Sequence, residues 1–262
     1  MNYNKSNRKE LSQNFIKNPS IIRYILGVID IPKNSLVLDI GVGEGIISQE
    51  LDKLGHRVIG IEKDPELVEN FKQNFPNIQI LEQDFLKYNF PEEEFFIISN
   101  PPFSIFSQII KKIIYKPNQN QGFLIFGQEE AIERIIGIGG ESILSIILKS
   151  FYQVEIVHKF NKSDFSPKPN VEVLLLRGIK IPTKLLDNQL DYLNFVKFGF
   201  SQQKSSLGNN LKNIFTYNQW KRLSQTYKFD IKVDPSDLNI SQWKALYTFY
   251  KNNVIIEKQI KY

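Results

Sequence analysis

Four residues of this 262-residue chain stand at or just after the ends of predicted strands, where side chains and backbone are available for chemistry. Gly41 follows the apolar run LVLDI, Glu62 ends RVIGIE, Asp84 comes three residues after IQIL, and Asn100 follows FFIIS. In open sheets of parallel strands, ligands bind at the carboxyl ends of the strands. We therefore expect these four residues to contribute to one site.

The stretch Asn100-Pro101-Pro102-Phe103 has the residue types to hold a planar amine. The lone pair of such an amine is delocalised into its ring, so the amine is a poor nucleophile. The side-chain oxygen of Asn100 and the carbonyl of Pro101 can each accept an N–H bond, which stabilises the charge that develops during attack. The prolines stiffen the loop, and Phe103 can stack on the ring. The competing interpretation is a proline-rich turn with Phe103 in the core.

The sequence GVGEG, residues 41–45, lets the backbone turn sharply and approach a ligand at Gly41 and Gly43. Glu62 can accept hydrogen bonds from both hydroxyls of a ribose, and Asp84 can reach an adenine edge. Each feature alone also fits an ordinary strand-to-helix turn or a helix cap. Together they indicate a site for an adenosine-containing cofactor.

Alternating strand and helix patterns from residue 36 to about residue 160 predict an α/β fold with a parallel sheet covered on both faces. From residue 181 onward, short amphipathic helices replace this pattern. We predict a catalytic domain over residues 1–180, with a basic segment at 1–35, and a small helical domain over residues 181–262.

Composition excludes several classes of function. The chain has no cysteine and two distant histidines, which argues against thiol catalysis and against a metal site. No apolar run is long enough to span a membrane, and the first ten residues are polar, so we expect a cytoplasmic protein without membrane contact. Net charge is +5, and the positive excess lies in residues 1–35 and 181–262, which fits a polyanion such as nucleic acid.

With these motifs in this order, the chain resembles the ribosomal RNA adenine dimethylases, which use S-adenosylmethionine (SAM). The resemblance covers roughly residues 8 to 250 and includes LSQNFIKNPSII (11–22) and FSPKPNVEVLLL (165–176). It implies a Rossmann-like seven-stranded sheet in a SAM-binding catalytic domain and a small helical RNA-binding domain at the C-terminus. It also implies S-adenosylhomocysteine (SAH) as product, with no metal. The cofactor-binding residues implied by position are Asn14, Ile16, Gly41, Gly43, Glu62, Asp84 and Asn100.

In that family, the residue at the position of Asn100 lies where cofactor and target amine meet. The residue at the position of Phe103 stacks on the target base. The resemblance thus implies methyl transfer to adenine N6, with Asn100, Pro101 and Phe103 as catalytic residues. Pro101 departs from the family, which usually has Leu or Ile at this position. Because Pro101 can change the loop, both mono- and dimethylation remain open.

Within the family, the chain is more similar to the Erm-type branch. The PEEEF loop, the phrase HRVIGIEKD and the closing NISQWKALYTFY carry this similarity. It implies one target adenine in the peptidyl-transferase region of 23S ribosomal RNA and resistance to macrolide, lincosamide and streptogramin B antibiotics. The alternative is a housekeeping dimethylase that acts on 16S ribosomal RNA in small-subunit biogenesis.

Ribosomal RNA is the expected partner, bound by a monomer through phosphate contacts. The target adenine must leave its stack, which is easier in single-stranded or loop RNA. The predicted RNA-binding residues are Arg8, Lys9, Lys17, Lys111, Lys112, Lys168 and Lys204. For each of them alone, a solvated surface side chain is the simpler interpretation.

Three other functions fit parts of the sequence. A protein glutamine methyltransferase uses a similar Asn-Pro-Pro-Phe motif on a planar amide, but the basic flanks and the helical C-terminus argue against it. A DNA adenine methyltransferase would need a target-recognition domain that the sequence does not suggest. A non-catalytic RNA-binding or transcription factor on the same fold would not need Gly41, Glu62, Asp84 and Asn100 together.

Overall fold

The computed structural model describes residues 14–16, 18–115, 119–183, 188–201, 206–255 and 258–260. By contact, the chain forms two compact units. The first, the sheet unit, comprises residues 1–113, 118–132 and 154–180. The second, the helical unit, comprises residues 114–117, 133–153 and 181–262.

A seven-stranded mixed sheet forms the sheet unit and confirms the predicted fold class. The strands of this sheet are β2 (Leu36–Ile40), β3 (Arg57–Glu62), β4 (Gln79–Glu82), β5 (Phe95–Ser99), β6 (Asn120–Gln128), β7 (Tyr152–Phe160) and β9 (Val173–Lys180). Their order in the sheet is β4-β3-β2-β5-β6-β9-β7. Strands β2 to β6 run parallel to one another, and β9 pairs antiparallel with β6.

The central strands form because their sequences bury every side chain. All five residues of β2 and all five of β5 are buried, which requires cover on both faces of the sheet. Helices connect parallel neighbours of the sheet, as in βαβ units. The helices of this part of the chain are α1 (Pro19–Leu26), α2 (Ile46–Lys53), α3 (Pro65–Asn74), α4 (Phe106–Tyr115) and α5 (Glu129–Ile136).

A second, two-stranded sheet joins two sequence motifs that are distant in the chain. Strand β1 (Phe15–Ile16) pairs antiparallel with β8 (Phe165–Ser166). Phe15 lies opposite Ser166, and Ile16 lies opposite Phe165. Phe15 and Ile16 are thereby held by Phe165 and Ser166, beside the core to which Ile16 and Phe165 belong.

The helical unit has a core of aromatic rings. Tyr192, Phe195, Trp243 and Tyr250 are fully buried there, and the Phe195 ring contacts both Trp243 and Tyr250. Buried Asp191 accepts a hydrogen bond from the Tyr247 hydroxyl at 2.8 Å. The helices of this part of the chain are α6 (Ile143–Phe151), α7 (Gln189–Gly199), α8 (Leu207–Asn210), α9 (Tyr217–Tyr227) and α10 (Ile240–Asn253).

None of the helices in the described ranges combines the length and apolar character required to cross a lipid bilayer.

Candidate active site

The ends of four adjacent parallel strands meet at one edge of the sheet. Ile40 pairs with Ile61 and with Ser99, so β2, β3 and β5 end at the same level. Glu62 pairs with Glu82, which brings the end of β4 beside them. The Ser99 hydroxyl donates to the Ile40 carbonyl at 2.8 Å and ties β5 to β2 directly before Gly41 and Asn100.

This edge encloses a cavity of about 310 Å³, a volume suited to a small-molecule ligand. Of the cofactor-binding residues predicted from sequence, Asn14, Gly41, Gly43, Glu62, Asp84 and Asn100 line it. The cavity is also lined by Phe15, Ile40, Ile61, Lys63, Asp64, Gln83, Phe85, Leu86, Pro101, Pro102, Ser104 and Ile105.

The glycines of the β2–α2 turn are required by backbone conformation and by close packing. Gly41, Gly43 and Gly45 have φ values of +73°, +57° and +84°, a region that other residues rarely adopt. A Cβ on Gly43 would lie 2.5 Å from a ring carbon of Phe15. The turn therefore permits β1 to approach the cavity.

Glu62 is fixed in place by three backbone N–H groups. Its carboxylate accepts from Lys63 at 2.8 Å, from Asp64 at 3.0 Å and from Gly43 at 3.3 Å. These bonds link the end of β3 to the glycine turn. A buried carboxylate held this way is preorganised to accept hydrogen bonds from ligand hydroxyls.

Asp84 begins the 3-10 turn Phe85–Lys87, and its Oδ1 accepts from the Leu86 N–H at 2.9 Å. This cap sets the direction of the loop between β4 and β5. Phe85 and Leu86 of the same turn form part of the cavity wall beside Asp84.

The amide of Asn100 is oriented by the residue that precedes strand β1. Its Nδ2 donates to the Asn14 carbonyl at 2.8 Å. Because this bond uses the amide nitrogen, the side-chain oxygen of Asn100 can serve as an acceptor toward the cavity. The residue stands at the point where the QNF segment and the loop after β5 meet.

Two predicted site residues lie outside the cavity wall. Ile16 is buried in the core, at 3% exposure, since alternate residues of a strand face opposite sides; its neighbour Phe15 lines the cavity instead. Phe103 is partly buried against the core cluster, while Pro102 and Ser104 on either side of it line the cavity. Base stacking by Phe103 stays a prediction.

Asp39 is a buried carboxyl behind the glycine turn. Burial raises its pKa to about 7; the hydrogen bond donated by the Ser48 hydroxyl at 2.6 Å opposes this shift, and the charge of Glu62 adds to it. The Oδ1 atom of Asp39 is buried and has no hydrogen-bond partner in the described part of the chain. Asp39 is thus a titratable group beside the candidate site.

Three of the predicted RNA-binding residues lie in the described part of the chain, and four do not. Lys111 and Lys168 are exposed, whereas the Lys112 ammonium donates to the Leu86 and Tyr88 carbonyls. Their contact with RNA stays a prediction. The remaining candidates lie outside the described residues: Arg8, Lys9, Lys17 and Lys204.

The helical unit contains a separate open cleft of about 770 Å³. Lys212, Tyr217 and Lys232 lie on it, and Tyr217 is 69% exposed. Trp220 and Phe215, which also line the cleft, stack with their centroids 6.2 Å apart. Lys212 and Lys232 lie in turns and Tyr217 begins α9; no motif in the sequence marks them, because lysine and tyrosine are common surface residues.

Within the described ranges, no cluster of three or more His, Asp and Glu side chains is arranged to hold a metal ion. That the chemistry needs no metal stays a prediction.

The chain is similar over most of its length to proteins of known name. The chain is 30% identical over 253 residues to Ribosomal RNA small subunit methyltransferase A of Mycoplasma mobile, covering 94% of this chain and 98% of that protein. It is 34% identical over 218 residues to the protein of the same name from Parabacteroides distasonis, covering 79% and 81%.

Two solved structures share the fold. The 23S rRNA methyltransferase ErmE superposes with a TM-score of 0.78 at 21% identity, covering 91% of this chain and all of that one. A dimethyladenosine transferase from Plasmodium falciparum superposes with a TM-score of 0.73 at 23% identity, covering 92% and 98%. The family profile described as Ribosomal RNA adenine dimethylase matches residues 4–252. The chain therefore belongs to the ribosomal RNA adenine dimethylase family of SAM-dependent methyltransferases.

Proposed function

We propose that this chain transfers the methyl group of SAM to N6 of an adenine in ribosomal RNA, at the cavity bounded by Gly41, Glu62, Asp84 and Asn100. The observation that carries the proposal is the convergence of these four residues, from four strand ends, on one cavity. Family membership supports the reaction class, and the lining of the cavity supports the choice of residues.

The cavity fits the cofactor's chemistry in three places. Glu62, held by three backbone N–H groups, would accept from the ribose hydroxyls. Asp84 would accept from the adenine amino group, with Phe85 and Leu86 forming the wall beside the ring. Gly41 lines the cavity and has no Cβ, so the amino-acid part would be able to approach its backbone closely. When bound, SAM supplies a methyl group on a sulfonium, which needs no further activation.

The protein's part in the reaction is to position and polarise the target amine. Asn100 Oδ1 and the Pro101 carbonyl would accept the two N–H bonds of the adenine amino group. These acceptors stabilise the positive charge that grows on nitrogen during attack. The bond from Asn100 Nδ2 to the Asn14 carbonyl fixes the amide orientation before substrate arrives, which reduces the cost of ordering it.

For the target, we propose one adenine of large-subunit ribosomal RNA, with antibiotic resistance as the consequence. The PEEEF loop, HRVIGIEKD and the closing NISQWKALYTFY support this target by their similarity to the Erm-type branch. The fold shared with ErmE is compatible with it but shows the fold alone.

The second candidate is small-subunit ribosomal RNA. The names of the similar relatives from Mycoplasma mobile and Parabacteroides distasonis favour it. In this case the chain would modify adenines of a small-subunit hairpin during ribosome assembly. Either target places the protein in the cytoplasm, and we propose that it acts there as a monomer.

One experiment separates the two targets. The chain is expressed in a macrolide-susceptible bacterium that lacks its own small-subunit dimethylase. Methylated adenines are mapped on both ribosomal RNAs by primer extension, which stops at dimethylated adenine, and by mass spectrometry of nuclease fragments, which also detects monomethylated adenine. A stop in the peptidyl-transferase region together with erythromycin tolerance supports the large-subunit target. A stop in the small-subunit hairpin without tolerance supports the second candidate. An Asn100→Ala variant, expressed in parallel, should give neither stop.

A further inference from the structure

Lys112 lies against the backbone of the loop that forms the adenine side of the candidate cofactor site. It projects from α4, and its Nζ donates to the Leu86 carbonyl at 3.0 Å and to the Tyr88 carbonyl. The same ammonium lies 5.1 Å from the Phe85 ring centroid and 5.4 Å from that of Phe90. One cation thus holds two carbonyls and two aromatic rings of a single loop.

We propose that Lys112 is a positioning residue for the adenine of the cofactor. Its contacts begin in the 3-10 turn that Asp84 caps, and Phe85 and Leu86 of this turn line the cavity. Hydrogen bonds from a charged donor are stronger than those between neutral groups, and cation–π contact adds to them when the cation is shielded from water. Lys112 therefore fixes the wall against which the adenine would lie.

The aromatic rings of the loop connect it to the sheet by direct contact. The Phe90 ring contacts Phe85 at 5.8 Å and stacks on Phe95 at 5.2 Å, centroid to centroid. Phe95 is the first residue of β5 and is fully buried. Without the ammonium, two carbonyls of a partly buried loop would lose a charged donor, and the turn after Asp84 would keep only its cap, its backbone hydrogen bonds and its ring contacts.

This inference rests on the proposed placement of the cofactor, and it contrasts with the predicted role of Lys112 as an RNA phosphate contact. The two roles differ in what they require. A positioning role acts on SAM affinity in the absence of RNA, whereas a phosphate contact acts on RNA affinity and its salt dependence.

Calorimetry without RNA tests the proposal in the full chain. SAH and 5′-methylthioadenosine, which lacks the amino-acid part, are titrated into wild type, Lys112→Met, Lys112→Arg and Lys87→Met. Lys87 is an exposed lysine of the same turn, so Lys87→Met makes the same charge change without the contacts. We expect Lys112→Met to weaken both ligands by the same factor, at least about tenfold, Lys112→Arg to restore part of the affinity, and Lys87→Met to stay within twofold.

The measurements separate a failure of the proposed function from a failure of the positioning role of Lys112. If wild type itself binds no SAH, the proposed function fails. If wild type binds SAH and folded Lys112→Met binds it equally well, the positioning role is overturned. A loss for SAH without a loss for 5′-methylthioadenosine also overturns it, because the effect would then lie at the amino-acid end. A fall in melting temperature that leaves both dissociation constants unchanged would show a merely structural role.

Discussion

At the scale of single residues, the chemistry of the site depends on the acceptor oxygen of Asn100. Removing the side chain at this position takes away one of the two acceptors for the target amine and the bond to Asn14. Loss of a single preorganised polar group at a reaction centre typically costs about 10²–10³-fold in turnover. The cofactor residues Glu62 and Asp84 lie at or near the ends of other strands, so a change at Asn100 does not remove them.

We therefore expect Asn100→Ala to lower the rate of methyl transfer at least about 100-fold, while SAH affinity stays within a few-fold. Single-turnover transfer of tritiated methyl to ribosomal RNA measures the first quantity, and calorimetry with SAH measures the second. Near-normal transfer by the variant would contradict the proposed clamp. A parallel loss of SAH affinity would instead place Asn100 mainly in cofactor binding.

Asp39 makes the stability of the folded protein depend on pH. Its folded pKa, about 7, lies above the ordinary value of 3.8, so the folded state holds a proton that the unfolded state releases. The stabilisation from this proton is present below the unfolded pKa and is lost as pH rises through about 7. Above that pH the folded protein must carry a buried charge.

The substitution Asp39→Asn removes the charge of the side chain and keeps its shape. We expect the melting temperature of the variant, relative to wild type, to rise between pH 5 and pH 8 by about 3 °C or more. Differential scanning calorimetry at several pH values measures it, with Asp52→Asn, at an exposed position of α2, as the control for a carboxyl-to-amide change. A difference independent of pH would show that Asp39 is already ionised throughout this range.

At the scale of elements, the glycine turn and strand β1 form one side of the site together. Gly43 has no room for a Cβ, because Phe15 of β1 lies against it. Gly55 has a similarly positive φ of +82°, and a methyl group there would meet nothing within 4 Å. The two glycines therefore share backbone strain on substitution but differ in steric contact.

We expect Gly43→Ala to weaken SAH binding about tenfold or more, since the methyl group displaces Phe15 from the cavity wall, whereas Gly55→Ala leaves SAH affinity within twofold. Both variants should lose about 1 kcal/mol or more of unfolding free energy from backbone strain. Calorimetry with SAH and chemical denaturation measure the two effects. Equal SAH affinity in the two variants would show that Phe15 does not contribute to binding.

The sequence predicts some residues of the site and not others, and the difference lies in the element that carries each residue. Gly41, Glu62, Asp84 and Asn100 could be placed because each is at or near the end of a strand whose apolar run is evident, and parallel strands end at one edge. Phe15 could not be placed, because β1 has two residues and its facing direction is set by pairing with β8, which is distant in the chain. Lys112 resembles any lysine on an amphipathic helix until the β4–β5 loop is folded against it.

At the scale of the whole molecule, charge is divided between regions of the chain. Residues 181–262 carry a positive excess, and the cleft with Lys212, Tyr217 and Lys232 lies in the helical unit. An exposed tyrosine beside two lysines suits single-stranded RNA, because the ring can stack on a base while the ammonium groups bind phosphates. We propose this cleft as an RNA-binding surface of the helical unit.

The salt dependence of RNA binding tests this proposal. Each phosphate contact contributes about 0.7 to the slope of log K against log salt concentration for single strands. We expect Lys212→Gln/Lys232→Gln to reduce that slope by about 1.4, and Tyr217→Ala to weaken binding about tenfold without changing the slope. SAH affinity should be unaffected in both variants, because the cofactor residues belong to the sheet unit.

The matched control is Lys72→Gln/Lys87→Gln. It removes two exposed lysines of the sheet unit. An equal slope change in the control would show that RNA responds to net charge alone and not to the cleft.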